Sequence, residues 1–152
     1  MKHLEAEAAD AASEEWVTSP VLLLLLEIAQ VQQNRMEEAL KEVGLSRAKM
    51  EALHQLLRAG EPMPLRALAE GQRCVPSNMT TLVDRLESEG LVRRVDDPDD
   101  RRSVRAELTP LGAELAAAGA EVLAHVQEEF ASSLSPSDLA TLQRIMASLR
   151  RN

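Results

Sequence analysis

Residues 93–105 read Arg93-Arg94-Val95-Asp96-Asp97-Pro98-Asp99-Asp100-Arg101-Arg102-Ser103-Val104-Arg105. Arginines flank and fill an acidic, proline-bearing turn, with β-prone segments over 91–95 and 104–108. That pattern predicts a small hairpin with a charged tip. Directly upstream, Ser77, Asn78, Thr80, Thr81 and Arg85 fall on the polar side of a helix. These residue types suit duplex DNA. Asparagine pairs with adenine and arginine with guanine through two hydrogen bonds each, and hydroxyl residues meet phosphate or the thymine methyl. A thin arginine-bearing loop can reach the minor groove or the phosphates.

The net charge of −8 argues at first against such a partner. Its distribution removes the objection. Residues 66–105 hold eight arginines and eight acids, whereas the remainder holds nine basic and seventeen acidic residues and carries the whole −8. Attraction to DNA depends on the local potential of the contacting face, not on the sum.

The elements that must position these groups are helical. Ser19-Pro20 opens a helix that runs to about Val43 and ends at Gly44, with Ser19 as cap. Leu22 to Leu26 make its first turns apolar all round, which demands cover on more than one side. Ser46 caps a second helix to Ala59, stopped by Gly60. Pro62-Met63-Pro64 is an extended connector. A short helix over 65–72, the turn Arg73-Cys74-Val75 and a helix over 76–89 follow. In the last of these, Met79, Leu82, Val83 and Leu86 form the inward stripe. After the hairpin, Thr109-Pro110 opens a long helix over about 111–133, and Ser135-Pro136 opens the last one. The fold class expected is mainly α with a small β-hairpin wing: a winged helix-turn-helix plus terminal helices forming a dimerisation region. The apolar surface of the terminal helices suits pairing across a two-fold axis.

Other chemistry is sparse. No glycine-rich phosphate loop, nucleophile elbow or metal-ligand spacing occurs, so no enzyme, cofactor or metal is expected. His3, His54 and His125 are scattered. His54, near Arg58 on the second helix, is a candidate lining residue of an effector pocket; a plain surface histidine is the alternative. Cys74, the one cysteine, cannot form an internal disulfide, and a reducing cytoplasm is the simplest compartment. In the turn it either packs as a small hydrophobe or senses oxidants, with Arg73 nearby to lower its pKa. The apolar run over 21–26 is too short to span a membrane.

Three motifs carry a family resemblance: Leu65-Arg66-Ala67-Leu68-Ala69-Glu70; the run from Pro76-Ser77-Asn78-Met79-Thr80-Thr81-Leu82-Val83-Asp84-Arg85 to Gly90-Leu91-Val92-Arg93-Arg94; and Asp97-Pro98-Asp99-Asp100-Arg101-Arg102 followed by Leu108-Thr109-Pro110-Leu111-Gly112. Together they resemble the multiple antibiotic resistance regulator (MarR) family. The resemblance implies a single domain over 1–152, with dimerisation helices at about 19–44 and 111–152 around a winged helix-turn-helix at about 46–108. It implies a homodimeric transcription regulator, usually a repressor, on a pseudopalindromic operator, released by a small phenolic or lipophilic ligand. By position, Ser77, Asn78, Thr80, Thr81 and Arg85 would face the major groove or adjacent phosphates. Arg102 would go towards the minor groove with Asp100 supporting it, Arg101 would touch phosphate at the tip, and Arg73 could meet phosphate too. One departure is Val75, where the family often has a small capping residue; either the helix start is capped differently or Ser77 serves as its cap. The competing readings are a redox-responsive regulator acting through Cys74 and a winged-helix module for protein contacts.

Overall fold

The computed structural model describes residues 20–98, 100 and 103–150. The chain divides into two compact units, Met1–Asn34 and Arg35–Asn152. Helix α1, Pro20–Glu42, begins in the first. There Val21, Leu22, Leu23, Leu24, Leu26 and Ile28 are all exposed, by 48 to 65%. The second unit contains α2 (Arg47–Ala59), strand β1 (Met63–Pro64), α3 (Leu65–Gly71), α4 (Pro76–Ser88), β2 (Val92–Asp96), β3 (Val104–Leu108), α5 (Pro110–Ser132) and α6 (Pro136–Leu149).

The boundaries follow local chemistry. The Ser46 hydroxyl accepts from the Lys49 N–H at 3.3 Å and starts α2; Ser135 does the same for α6 through the Asp138 N–H at 3.1 Å. Leu53, Leu68, Met79, Val83, Leu86 and Val92 are almost fully buried and form one core beneath α2, α3, α4 and the sheet. No residue of α6 is buried.

The sheet has three strands in the order β1-β3-β2, all antiparallel. The hairpin register pairs Arg94 with Ala106 and Val95 with Arg105. The extended connector read from the sequence is in fact an edge strand, with Met63 opposite Ala106. A two-residue strand ending in proline has no alternation to betray it; its pairing is decided by β3, some forty residues away.

The Leu-Thr-Pro-x-Gly motif is the junction between hairpin and long helix. Thr109 caps α5 by accepting from the Gly112 N–H at 3.0 Å. Its own hydroxyl reaches back to the carbonyls of Gly90 and Leu91, at 2.7 and 3.0 Å. Gly112 is required by this closeness: a Cβ there would lie 2.0 Å from the Leu91 carbonyl oxygen and 2.8 Å from Leu108 Cδ1. Backbone on backbone cannot yield as a flexible side chain would. Gly112→Ala is therefore expected to lower the unfolding free energy by about 3 kcal/mol, the upper range of overpacking costs. A urea titration monitored by circular dichroism checks it; an unchanged midpoint would show that the junction has slack.

Candidate nucleic-acid interface

The turn before α4 closes α3 by a Schellman motif. The Cys74 N–H bonds to the Ala69 carbonyl at 3.0 Å and the Arg73 N–H to the Glu70 carbonyl at 3.1 Å. The same closure ends α1 and α4, where Gly44 and Gly90 occupy the left-handed position. Here that position is Arg73, with φ of 52°, the one non-glycine residue with positive φ among those described. A side chain in this conformation costs about 1 kcal/mol or more relative to glycine. An exposed arginine thus stands just before α4, where the local geometry favours glycine.

Burial of Met79, Val83 and Leu86 sets the rotation of α4. Ser77, Asn78, Thr80, Thr81 and Arg85 are all exposed as a result. They do not form one equivalent set. Asn78, Thr81 and Arg85 line a common cleft of about 330 Å³ together with Gln72, Cys74 and Leu82. Thr80 lies further round the helix, in line with Asp84 and Glu87 at i+4 and i+7. Both threonine hydroxyls donate to the preceding turn, Thr80 to the Pro76 carbonyl at 3.1 Å and Thr81 to the Ser77 carbonyl at 3.2 Å. Ser77 is not the cap. Val75 is the cap residue and supplies no side-chain hydrogen bond; its carbonyl accepts from Asn78 and Met79. The uncapped first turn leaves the Ser77 N–H pointing along the helix axis, a favourable place for an anion.

The arginines divide into two groups. Arg94 clasps the base of the hairpin to α4: its guanidinium binds Asp84 and Glu87, each at 2.5 Å, and its backbone N–H binds Glu87 at 2.9 Å. Arg93 pairs with Glu107 across the sheet, Arg105 with the buried Asp97 at 2.9 Å, and Arg66 with Glu70 at 3.0 Å. Among the described residues Arg73 and Arg85 carry no ion pair. Arg101 and Arg102 lie outside the described residues. Asp100 is exposed in the tip, where its carbonyl accepts from the Ser103 N–H at 2.9 Å. The Glu87 carboxyl is held below the usual range, first by the Arg94 backbone N–H and then by its guanidinium. Glu107 is lowered by its hydrogen bond from Arg93.

The sequence pointed to groups expected to meet DNA and passed over the one that ties their supports together. Arg94 and its acids entered only as part of a motif. The available signal was Asp84 and Glu87 at i, i+3 on a helix with an arginine in the next strand. Cys74 is half-buried and packs against the core. His54 and Arg58 are both exposed. His54 lines a cavity of about 280 Å³ with Met50, Leu123 and Gln127, and Arg58 is not part of its wall. Among the described residues no cluster of three or more His, Cys, Asp or Glu could hold a metal, and no helix is long and apolar enough to cross a membrane.

Helix, turn, helix and arginine-braced hairpin on one core define a winged helix-turn-helix protein. Residues 45–104 match the MarR family model, and this winged helix-turn-helix segment is of the MarR family. It is 30% identical over 100 residues to the HTH-type transcriptional repressor MdtR of Bacillus subtilis, covering 66% of this chain and 64% of that protein. The chain spans about half to two-thirds of the length of the curated relatives it matches. In structure it is similar to the YusO protein of B. subtilis, with a TM-score of 0.74 and 25% identity over 91% of this chain and 98% of that one. It shares its fold with a mutant MarR from E. coli complexed with operator DNA, with a TM-score of 0.70 and 23% identity over 86% and 94% of the two chains.

The clasp has a pH signature. A carboxyl whose folded-state pKa is depressed contributes stability above its unfolded value, near 4.5, and loses it as pH falls through the folded value. Glu87→Gln is expected to be less stable than the parent at pH 7, with the gap closing as the pH is taken below about 4.5. Urea midpoints measured from pH 7 to pH 3 check this. A gap that stays constant across the range would mean that Glu87 contributes by shape and not by charge.

Proposed function

We propose that this protein is a homodimeric, DNA-binding transcription regulator, a repressor on a pseudopalindromic operator, with residues 1–152 working as a single domain. The observation that carries the reading is the exposed stripe of α4, bearing Asn78, Thr81 and Arg85 beside an arginine held in the left-handed position at Arg73. A cation maintained against its backbone preference is best explained by a partner that rewards it, and a phosphate at the start of α4 does so. Asn78 and Arg85 serve as base readers, with Ser77 beside them and Thr80 further round the helix. Arg101 at the tip meets phosphate, and Arg102, supported by Asp100, enters the minor groove.

The dimer is supported by the apolar side chains that one copy leaves uncovered. The exposed leucines of α1 and Ile145, Met146 and Leu149 of α6 are 39 to 58% exposed, more large apolar surface than a monomer usually presents. A second copy related by a two-fold axis covers such surface and sets two α4 helices at successive major grooves, about 34–36 Å apart. The cavity beside His54 is the proposed seat of a small phenolic or lipophilic effector; its wall joins α2 to α5, so occupancy there bears on how the DNA-reading and pairing helices meet.

A gel shift with the DNA upstream of the protein's own gene tests the reading. Arg85→Ala and Arg102→Ala are each expected to weaken binding by about 1–3 kcal/mol. Arg73→Gly should leave thermal stability unchanged or raised while making binding less sensitive to salt, with a log–log slope shallower by about one unit if Arg73 neutralises one phosphate. Full retention of affinity in all three variants at matched salt would overturn the assignment.

A further inference from the structure

We infer that Thr81 reads the 5-methyl group of a thymine in the major groove. This deepens the DNA-binding proposal and rests on it. The Thr81 hydroxyl donates its one hydrogen to the Ser77 carbonyl at 3.2 Å. Phosphate oxygens and thymine O4 are acceptors, so neither can be bound by Thr81 without breaking that bond. With Oγ1 turned back on the preceding turn, Cγ2 is the remaining heavy atom at the end of the side chain. The residue is exposed and lines the cleft beside Asn78 and Arg85, and this methyl is the group inferred to meet the partner.

Its neighbours favour an apolar contact there. Thr81 lies between Asn78, one turn before, and Arg85, one turn after, and all three line the cleft that also holds Leu82 and Cys74. A polar group able to take adenine and another able to take guanine thus flank a methyl. Thymine is the base that offers a methyl in the major groove, and threonine methyls pack against it. Thr80 makes the same intrahelical bond, to Pro76, yet lies on the side of Asp84 and Glu87, whose carboxylates are engaged by Arg94. A base edge reaching Thr80 would approach two carboxylates; one reaching Thr81 meets none in the cleft. The methyl contact is therefore assigned to Thr81 alone.

The experiment begins with the full chain and random-sequence duplexes, from which the protein enriches its own site. That duplex is resynthesised with each thymine replaced in turn by deoxyuridine, which removes the 5-methyl and nothing else. Wild type is expected to lose about four-fold in affinity at one thymine per half-site, the worth of roughly one buried methyl-sized group. Thr81→Val, which keeps a methyl and lacks the hydroxyl, should retain both affinity and the preference for thymine. Thr81→Ser, which lacks the methyl, should bind the thymine and deoxyuridine duplexes equally. Loss of the preference in Thr81→Val with its retention in Thr81→Ser would assign the contact to the hydroxyl and overturn the inference. So would equal binding of every deoxyuridine duplex by wild type, a readout that needs no variant to fold. Failure to enrich any sequence would overturn the DNA-reading proposal itself, and a methyl-independent enriched site would overturn this inference while leaving that proposal standing.

Discussion

The rotation of α4 about its own axis is the constraint on which everything else depends. Met79, Val83 and Leu86 are sealed in the core with no measurable exposure. Their burial is worth several kcal/mol taken together, far more than any surface preference could offset. Once those three side chains point inward, the helical period leaves no choice about what points outward. Ser77, Thr81 and Ser88 take the centre of the outer face, with Asn78 and Arg85 to one side and Asp84 and Glu87 to the other. The acidic side is then used for construction. It receives Arg94 from β2, and so the hairpin is fixed in angle to the helix it must act beside. The other side, where Asn78 and Arg85 show no ion pair among the described residues, is the one proposed to meet a partner.

This division resolves the charge problem. A segment with equal numbers of arginines and acids is neutral on average, yet its charges are not spent alike. Arg66, Arg93, Arg94 and Arg105 are each within hydrogen-bond reach of a carboxylate of the same chain. The exposed pairs among these add little stability individually; their effect is geometric, holding strands and helix in register. Arg73 and Arg85 keep their charge for the outer face. In the proposed DNA complex the surrounding acid restrains general attraction to phosphate, so that binding comes from a fitted site more than from bulk potential.

Much of this was legible because local chemistry and tertiary structure agree. Ser46, Thr109 and Ser135 announce helix starts and do start helices; Gly44, Gly60 and Gly90 announce ends and do end them. The stripe of α4 was read correctly since four apolar residues at helical spacing have one consistent interpretation. What escaped depends on distant partners. The strand at Met63–Pro64 exists only because β3 pairs with it. The clasp of Arg94 had a signal in the spacing of Asp84 and Glu87, but which arginine of β2 closes it depends on the angle between β2 and α4. The turn at Arg73 was read, but its left-handed conformation was not: arginine is a poor left-handed residue, so propensity argued against the conformation that the Schellman closure imposes. The division between Thr80 and Thr81 likewise needed the clasp to be visible.

The central claim is that two copies of this outer face, each with its hairpin alongside, grip one side of a duplex together. Hydroxyl-radical footprinting on a self-selected duplex examines it most directly. The account predicts two protected segments on one face of the DNA, centred one helical turn or about 10 base pairs apart, with further protection where the hairpins flank them. A single protected segment, or uniform cleavage at protein concentrations that retard the duplex, would contradict it.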